Sequence, residues 1–266
     1  MSIAADIELA KKVKPVRILT LDIETAPHQV YTFGLFKQNI SIDKIIEPGR
    51  VLCFVAKWLG EDKIIFKSEY HDGQEAMVKA AWELLNEADI VIHYNGNNFD
   101  IPWLNGQFYL NNLGPTAPFK NIDLLHTIRK FRFASSKLDW ALQVSGLGNK
   151  VKHTGFEMWA DILGNDEAKK ADAWKLMRKY NVGDVTKTEA LYLNVRPWIH
   201  NHPHTGFVAD KDTLLCNKCN SDNLLDTGKT YRAVVNEYAL LKCGNCGGYV
   251  RTTKAVGRAG NTAGVR

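Results

Sequence analysis

The run Val16-Arg17-Ile18-Leu19-Thr20-Leu21 ends in Asp22-Ile23-Glu24, and this ending constrains the fold more than any other feature of the chain. Aliphatic and β-branched residues at this density suit a strand. Side chains two apart on a strand share a face, so Asp22 and Glu24 project together while Ile23 points the other way. Adjacent anions repel unless a positive charge lies between them, and a divalent cation is the simplest such charge. A polar strand end running into the turn at Pro27 is the plainer alternative.

Such a strand needs a sheet around it, and 266 residues suffice for one sizeable α/β domain with or without an appendage. Residues 51–59 and 63–70, split by Gly60-Glu61-Asp62, read as a hairpin. Apolar residues recur at helical spacing over 72–88. Residues 89–95 form a buried strand, 101–112 a helix and 121–125 a short strand, and the chain to about Trp198 is mostly helical. Three leading strands followed by strand–helix alternation imply a mixed sheet with helices packed on it.

The apolar fraction of 45% argues against wholesale disorder. No apolar run approaches eighteen residues, which leaves no transmembrane helix and no membrane partner. The N-terminal "MSIAADIELAKKVKPVR" lacks the apolar core of a signal peptide, so a cytoplasmic location is expected. The net charge is +5, and from Asn201 onward nine Lys or Arg stand against five Asp or Glu. A basic surplus there suits a polyanionic partner. Periodicity lapses over residues 201–212, which divides the chain into 1–200, a linker and 213–266.

Ligands of open α/β sheets gather beyond the carboxyl ends of parallel strands. "HYNGNNFDIPWL" (93–104) leaves the second buried strand there and turns Asp100 toward the same crevice as Asp22 and Glu24. A first-turn Asp favoured by the helix dipole is the alternative. In "RKYNVGDVTKTEALYL" (178–193), Tyr180 and Asp184 lie one helical turn apart on one face, either pointing inward or as a surface pair. Gly183 beside them suits a close approach of backbones.

Asp-x-Glu, then Asn-x-x-x-Phe-Asp, then Tyr-x-x-x-Asp, in this order over residues 16–198, resembles the DEDD 3′→5′ exonucleases. These ribonuclease H-like nucleases include the proofreading domains of DNA polymerases. The resemblance implies an α/β ribonuclease H-like mixed sheet flanked by helices. It also implies catalytic residues Asp22, Glu24, Asp100, Tyr180 and Asp184, with Asn95 in the second motif. Lys179 stands where the histidine subclass keeps its histidine, so Tyr180 places the chain in the tyrosine branch. Four carboxylates suit two Mg²⁺ or Mn²⁺ ions that activate water and stabilise the leaving oxygen. By resemblance Asp22, Glu24 and Asp184 hold one ion, Asp22 bridges to the other, and Asp100 supports it. Tyr180 orients the attacking water.

Cys216-x-x-Cys219 and Cys243-x-x-Cys246 are two knuckles 23 residues apart, a layout that suits one structural Zn²⁺ and resembles a zinc ribbon. Redox Cys-x-x-Cys pairs are the alternative. Cys53 reads as a core residue, and His200, His202 and His204 as part of a solvated linker. Arg129, Lys130 and Arg132, interleaved with Phe131 and Phe133, offer phosphate and stacking contacts or a solvated helix face. Lys150 and Lys152 on a Gly-rich loop are further candidates for phosphate contact. One of Phe99 and Trp103 is expected in the core, the other against a terminal base.

The texture also resembles stand-alone exonucleases of tailed phages, which would place the protein in the host cytoplasm beside a separate DNA polymerase or replication protein. The expected activity is hydrolysis of DNA from single-stranded 3′ ends in phage replication or repair. An RNA exonuclease, and a non-catalytic binding module on a nuclease scaffold, are the rival readings.

Overall fold

The computed structural model describes residues 14–207 and 213–260. Residues 1–13, most of the stretch without a signal-peptide core, and 208–212 of the expected linker lie outside the described residues. The contacts divide the chain into two compact units, Arg17–Leu193 and one built from Asn194 onward.

The first unit is a five-stranded mixed sheet. Its strands are β1 (Ile18–Thr25), β4 (Val51–Trp58), β5 (Ile64–Ser68), β6 (Ile90–His93) and β7 (Lys120–Asp123), in the spatial order β5-β4-β1-β6-β7. A small ribbon of β2 (Gln29–Val30) and β3 (Ile45–Glu47) lies between β1 and β4 in the chain. β1 runs antiparallel to β4, with Asp22 opposite Val55 and Glu24 opposite Cys53, and parallel to β6. β4 and β5 form the expected hairpin.

Val51–Trp58 is apolar nearly throughout because both of its faces are covered. Leu19, Leu21 and Ile23 point to one side of the sheet, toward Met77, Ala81 and Leu85 of α2 (Gln74–Glu87) and Leu104 and Phe108 of α3 (Asp100–Leu110). The other side holds Leu52 and Cys53 against Met158 and Ile162 of α6 (Phe156–Leu163) and Trp174 and Met177 of α7 (Glu167–Val195). Each fully buried Leu, Phe or Met contributes roughly 1.5–3 kcal/mol of transfer free energy. By strand alternation Asp22 and Glu24 face the α7 side.

The helix expected over 72–88 is present as the single helix Gln74–Glu87, and a short helical turn precedes it. Gly73, at φ 84°, separates α1 (Glu69–Asp72) from α2, and the Ser68 hydroxyl accepts the His71 amide to cap α1. The hairpin's second strand therefore ends at Ser68, two residues earlier than its apolar pattern suggested. α4 (Leu124–Lys130) and α5 (Leu138–Val144) complete the unit.

The second unit is an antiparallel sheet of β8 (Leu224–Arg232), β9 (Asn236–Cys243) and β10 (Tyr249–Arg258), with β9 central. Turns at Cys216–Cys219 and Cys243–Cys246 are closed by Asn220 N–H donating to Cys216 O and Gly247 N–H to Cys243 O. Cys53 is buried, as expected. His202 is not solvated: it is only 4% exposed and its ring lies 2.7 Å from the Pro203 carbonyl. Among the described residues, no helix is long and apolar enough to cross a membrane.

Candidate active site

The carboxyl end of β1 carries Asp22 and Glu24 onto the face covered by α7. There, carboxylate oxygens of Asp22, Glu24 and Asp184 lie within 4.8 Å of one another. Asp184 arrives on a polar interruption of the α7 stripe: Asn181, Asp184 and Thr188 are all buried, at helical spacing. Asn181 donates its side-chain amide to Asp22 Oδ2 at 2.6 Å, a contact that fixes the carboxylate's rotamer. Asp100 opens α3 and is 2% exposed, and its Oδ1 accepts the Ile23 amide at 3.0 Å. It reaches β1 beside the trio from the neighbouring parallel strand's exit.

Lys150 is the cation of this cluster. Its ammonium lies 2.6 Å from Asp184 Oδ2 and donates to the Tyr180 hydroxyl at 2.7 Å. The loop that carries it lies close to α7 because residue 183 is Gly: a Cβ there would sit 2.7 Å from Val151 Cγ2. Burial would pull the Lys150 ammonium down, but Asp184 outweighs it and holds it above its usual range.

One ammonium does not balance four carboxyls. Burial, then the charges of Asp100, Glu24 and Asp184, push Asp22 well up. Burial and Asp184 push Glu24 up to about 8. Burial raises Asp100 to about 7 against the pull of the Ile23 amide. Asp184 is also raised by burial, in spite of Lys150. Burial and Asp184 take Tyr180 to about 12, so its hydroxyl stays protonated at any working pH.

This donor set fits hard divalent ions. Asp184 Oδ1 is buried and has no hydrogen-bond partner, an arrangement that costs free energy unless a cation accepts the lone pair. Asp22, Glu24 and Asp184 would hold one ion, and Asp100 stands ready at the margin for another.

The raised carboxyls have a stability consequence. A carboxyl whose folded pKa exceeds its unfolded value opposes folding once ionised. Metal-free stability should therefore fall as pH rises from about 4.5 to 8 for Glu24 and from about 3.8 to 7 for Asp100. A divalent ion removes the repulsion, so the rise in Tm on adding Mg²⁺ or Mn²⁺ should be larger at pH 8 than at pH 5. Calorimetry at the two pH values checks this, and an equal rise at both would detach these carboxyls from the metal.

The other candidates surround this centre or stand elsewhere on the unit. Asn95, at φ 67°, makes the turn after β6, where its amide donates to Asp123 Oδ1 at 2.8 Å. Trp103 packs against the core, and Phe99 is 38% exposed. Phe99 joins Glu24, His153, Phe156 and Trp159 around an open cleft. His153 also stands edge-on to Tyr180 at 4.7 Å between ring centroids. Arg129, Lys130, Arg132 and Lys152 are exposed, whereas the Lys150 head group is engaged with Asp184 and Tyr180. Asn181 and the cleft residues His153, Phe156 and Trp159 were not anticipated. For Asn181 the available signal was the polar 181/184/188 spacing within an apolar stripe.

The four cysteines cluster in the second unit, within 4.8 Å of one another. Sulfur–sulfur distances are 3.7 Å for Cys216–Cys246 and 3.6 Å for Cys219–Cys243. A tetrahedron with Zn–S bonds of about 2.3 Å has edges of about 3.8 Å, so the spacing is compatible with zinc.

Three carboxylates at the carboxyl end of a central strand, on a 5-4-1-6-7 mixed sheet with helices on both faces, define a ribonuclease H-like α/β protein. Residues 19–195 match the family RNase_H_2, described as RNase_H superfamily. The chain belongs to the RNase H superfamily. No curated protein matches the sequence. Among solved structures, the chain is similar to the family B DNA polymerase from the hyperthermophilic archaeon Pyrobaculum calidifontis. That similarity has 18% identity and a TM-score of 0.50 over 69% of this chain and 25% of the polymerase chain. It is also similar to RNase D of Trypanosoma brucei, at 17% identity and a TM-score of 0.44, over 74% of this chain and 59% of that one. At that identity the likeness to the polymerase speaks to the fold alone. The chain spans about a quarter of the polymerase's length.

Proposed function

We propose that the protein is a two-metal-ion 3′→5′ exonuclease that hydrolyses DNA from single-stranded ends. The observation that carries this reading is the convergence of Asp22, Glu24 and Asp184 oxygens within 4.8 Å, with one buried Asp184 oxygen lacking a partner. Membership of the RNase H superfamily and the order of the three motifs support it. Two Mg²⁺ or Mn²⁺ ions, when bound, would supply an activated water and charge stabilisation for the leaving oxygen.

The chain's own residues do the positioning. Asn181 orients the Asp22 carboxylate, and the Ile23 amide orients Asp100. The Tyr180 hydroxyl stays protonated, so it directs the attacking water by hydrogen bonding rather than by taking its proton. Lys150 holds Tyr180 and Asp184 in register and adds a positive charge for the scissile phosphate. The exposed Phe99 and Phe156 rings beside Glu24 suit stacking on the terminal bases, which selects a frayed end over a continuous duplex. The same reading assigns Arg129, Lys130, Arg132 and Lys152 to phosphate contacts and a structural Zn²⁺ to the four cysteines. The setting of a cytoplasmic phage enzyme beside a separate polymerase rests on the sequence resemblance alone.

End-labelled single-stranded DNA, duplex DNA and RNA, each with Mg²⁺, Mn²⁺ or chelator, test the proposal. Stepwise shortening of 5′-labelled single-stranded DNA, abolished by chelator, is expected. Faster degradation of RNA would move the substrate, and no cleavage of any strand would overturn the nuclease. Within this mechanism Tyr180→Phe should slow single-turnover cleavage on the order of a hundredfold, the scale of a misplaced reactant. Its Mn²⁺ affinity, read by calorimetry, should stay near wild type. A wild-type rate would make Tyr180 a packing residue.

A further inference from the structure

The three-stranded sheet of the second unit has two faces of opposite character. On β9, Tyr238, Leu240 and Lys242 alternate onto one face. Directly opposed residues share that face: Tyr231 and Lys229 from β8, opposite Tyr238 and Leu240, and Arg251 and Tyr249 from β10, opposite Leu240 and Lys242. Ring contacts agree with the register. The Arg251 guanidinium lies 4.0 Å from the Tyr238 ring centroid and 5.8 Å from that of Tyr231, and Lys242 Nζ lies 6.0 Å from that of Tyr249.

The carboxylates are on the reverse face. Glu237, one residue out of phase with Tyr238, is tied to Arg232 at 3.0 Å, and Asp226 stands opposite Leu241. Leu241, on this reverse face, is buried. The aromatic face is open: Tyr231 is 50% and Tyr249 56% exposed, and Lys229, Lys242 and Arg251 are exposed. Three rings and three cations on one exposed sheet face, with no carboxylate among these register positions, match a chain that is itself aromatic and polyanionic.

We propose that this face binds a segment of single-stranded DNA, with Tyr231 and Tyr249 stacking on bases, Tyr238 supporting Arg251, and Lys229, Lys242 and Arg251 meeting phosphates. Stacking needs unpaired bases, which excludes a duplex, and the surplus of cations excludes an apolar protein partner. Tyrosine hydroxyls and cations can meet a ribose 2′-hydroxyl as well as a deoxyribose edge, so the choice of DNA comes from the proposed activity. The inference rests on the reading of the chain as acting on DNA, but its test reads binding alone.

The test uses the full zinc-loaded chain, titrated into labelled (dT)12, (rU)12 or an abasic 12-mer without added Mg²⁺ or chelator. Wild type should bind (dT)12 more tightly than the abasic strand. Tyr231→Ala/Tyr249→Ala should weaken (dT)12 binding on the order of tenfold or more and leave abasic binding unchanged. Lys229→Ala/Lys242→Ala should reduce the salt slope of log affinity by about 1.4, at about 0.7 per lost phosphate contact. If the alanine pair loses its zinc, Tyr231→Leu/Tyr249→Leu keeps the strand apolar and carries the same expectation. Unchanged (dT)12 affinity, equal losses on both DNA strands, or tighter binding to (rU)12 each overturn the proposal. A chain that passes this test yet cleaves nothing would retire the nuclease reading and keep this one.

Discussion

Asp22→Ala and Asp184→Ala should each abolish hydrolysis, a fall on the order of a thousandfold or more, while strand binding persists. Losing one preorganised electrostatic contact to a transition state typically costs a hundredfold to a thousandfold, and these side chains are assigned to the ion itself. Asp22 lies among three other carboxyls, and Asp184 offers both the unpartnered oxygen and the contact to Lys150. Removing either leaves too few hard donors for the shared ion. The same electrostatics give a second readout. Burial and three neighbouring carboxyls raise Asp22, so it opposes folding when ionised. At pH 8 without metal Asp22→Ala should therefore not melt below wild type on electrostatic grounds, whereas Asp184→Ala also strands the Lys150 ammonium. Single-turnover cleavage of an end-labelled strand, alongside metal-free calorimetry, separates a dead site from an unfolded chain. Mg²⁺-dependent cleavage surviving in a folded variant would sink the assignment of these carboxylates.

Much of this centre was legible because strand and helix periods are rigid rulers. Period two alone puts Asp22 and Glu24 on one face, and in the structure that face is the one α7 covers. The mixed sheet followed from the hairpin and the strand–helix alternation. What stayed hidden depends on long-range closure. Lys150 reaches Asp184 only because a loop folds over Gly183, and no local pattern distinguishes that lysine from Lys152 two residues on. Asn181 is separated from Asp22 by 159 residues of sequence, so their pairing exists only once α7 has docked. The turn of helix at Glu69–Asp72 was read as the end of a strand, because its cap is a single hydroxyl, and His202 was buried by neighbours that a composition of His, Pro and Gly does not disclose. Periodicity reports which face a residue occupies, not what arrives from elsewhere to meet it.

The second large effect concerns zinc. Cys243→Ser/Cys246→Ser should remove a stoichiometric zinc ion and unfold the second unit while the first keeps Mg²⁺-dependent cleavage of short strands. Structural zinc sites of this ligand type bind with apparent free energies of about 10–16 kcal/mol, and that binding is folding free energy. The second unit has little else to hold it. Within β8, β9 and β10 only Leu241 and Cys243 are buried, so the sheet has almost no apolar core of its own. Burial pushes Cys216 up to about 12, so without a cation it packs as a neutral thiol, whereas against burial the Cys246 and Asn245 amides bring Cys243 down to about 7. The first unit draws on separate clusters on both faces of its own sheet, and its carboxylates lie between residues 22 and 184. Protease sensitivity confined to residues beyond 200, loss of the near-ultraviolet signal of Tyr231, Tyr238 and Tyr249, and zinc by mass spectrometry are the readouts. A variant that loses its zinc but keeps a protected, folded sheet would show that hydrogen bonding alone sustains the ribbon. Wild-type protein that carries no stoichiometric zinc would instead have the cysteines read as redox pairs.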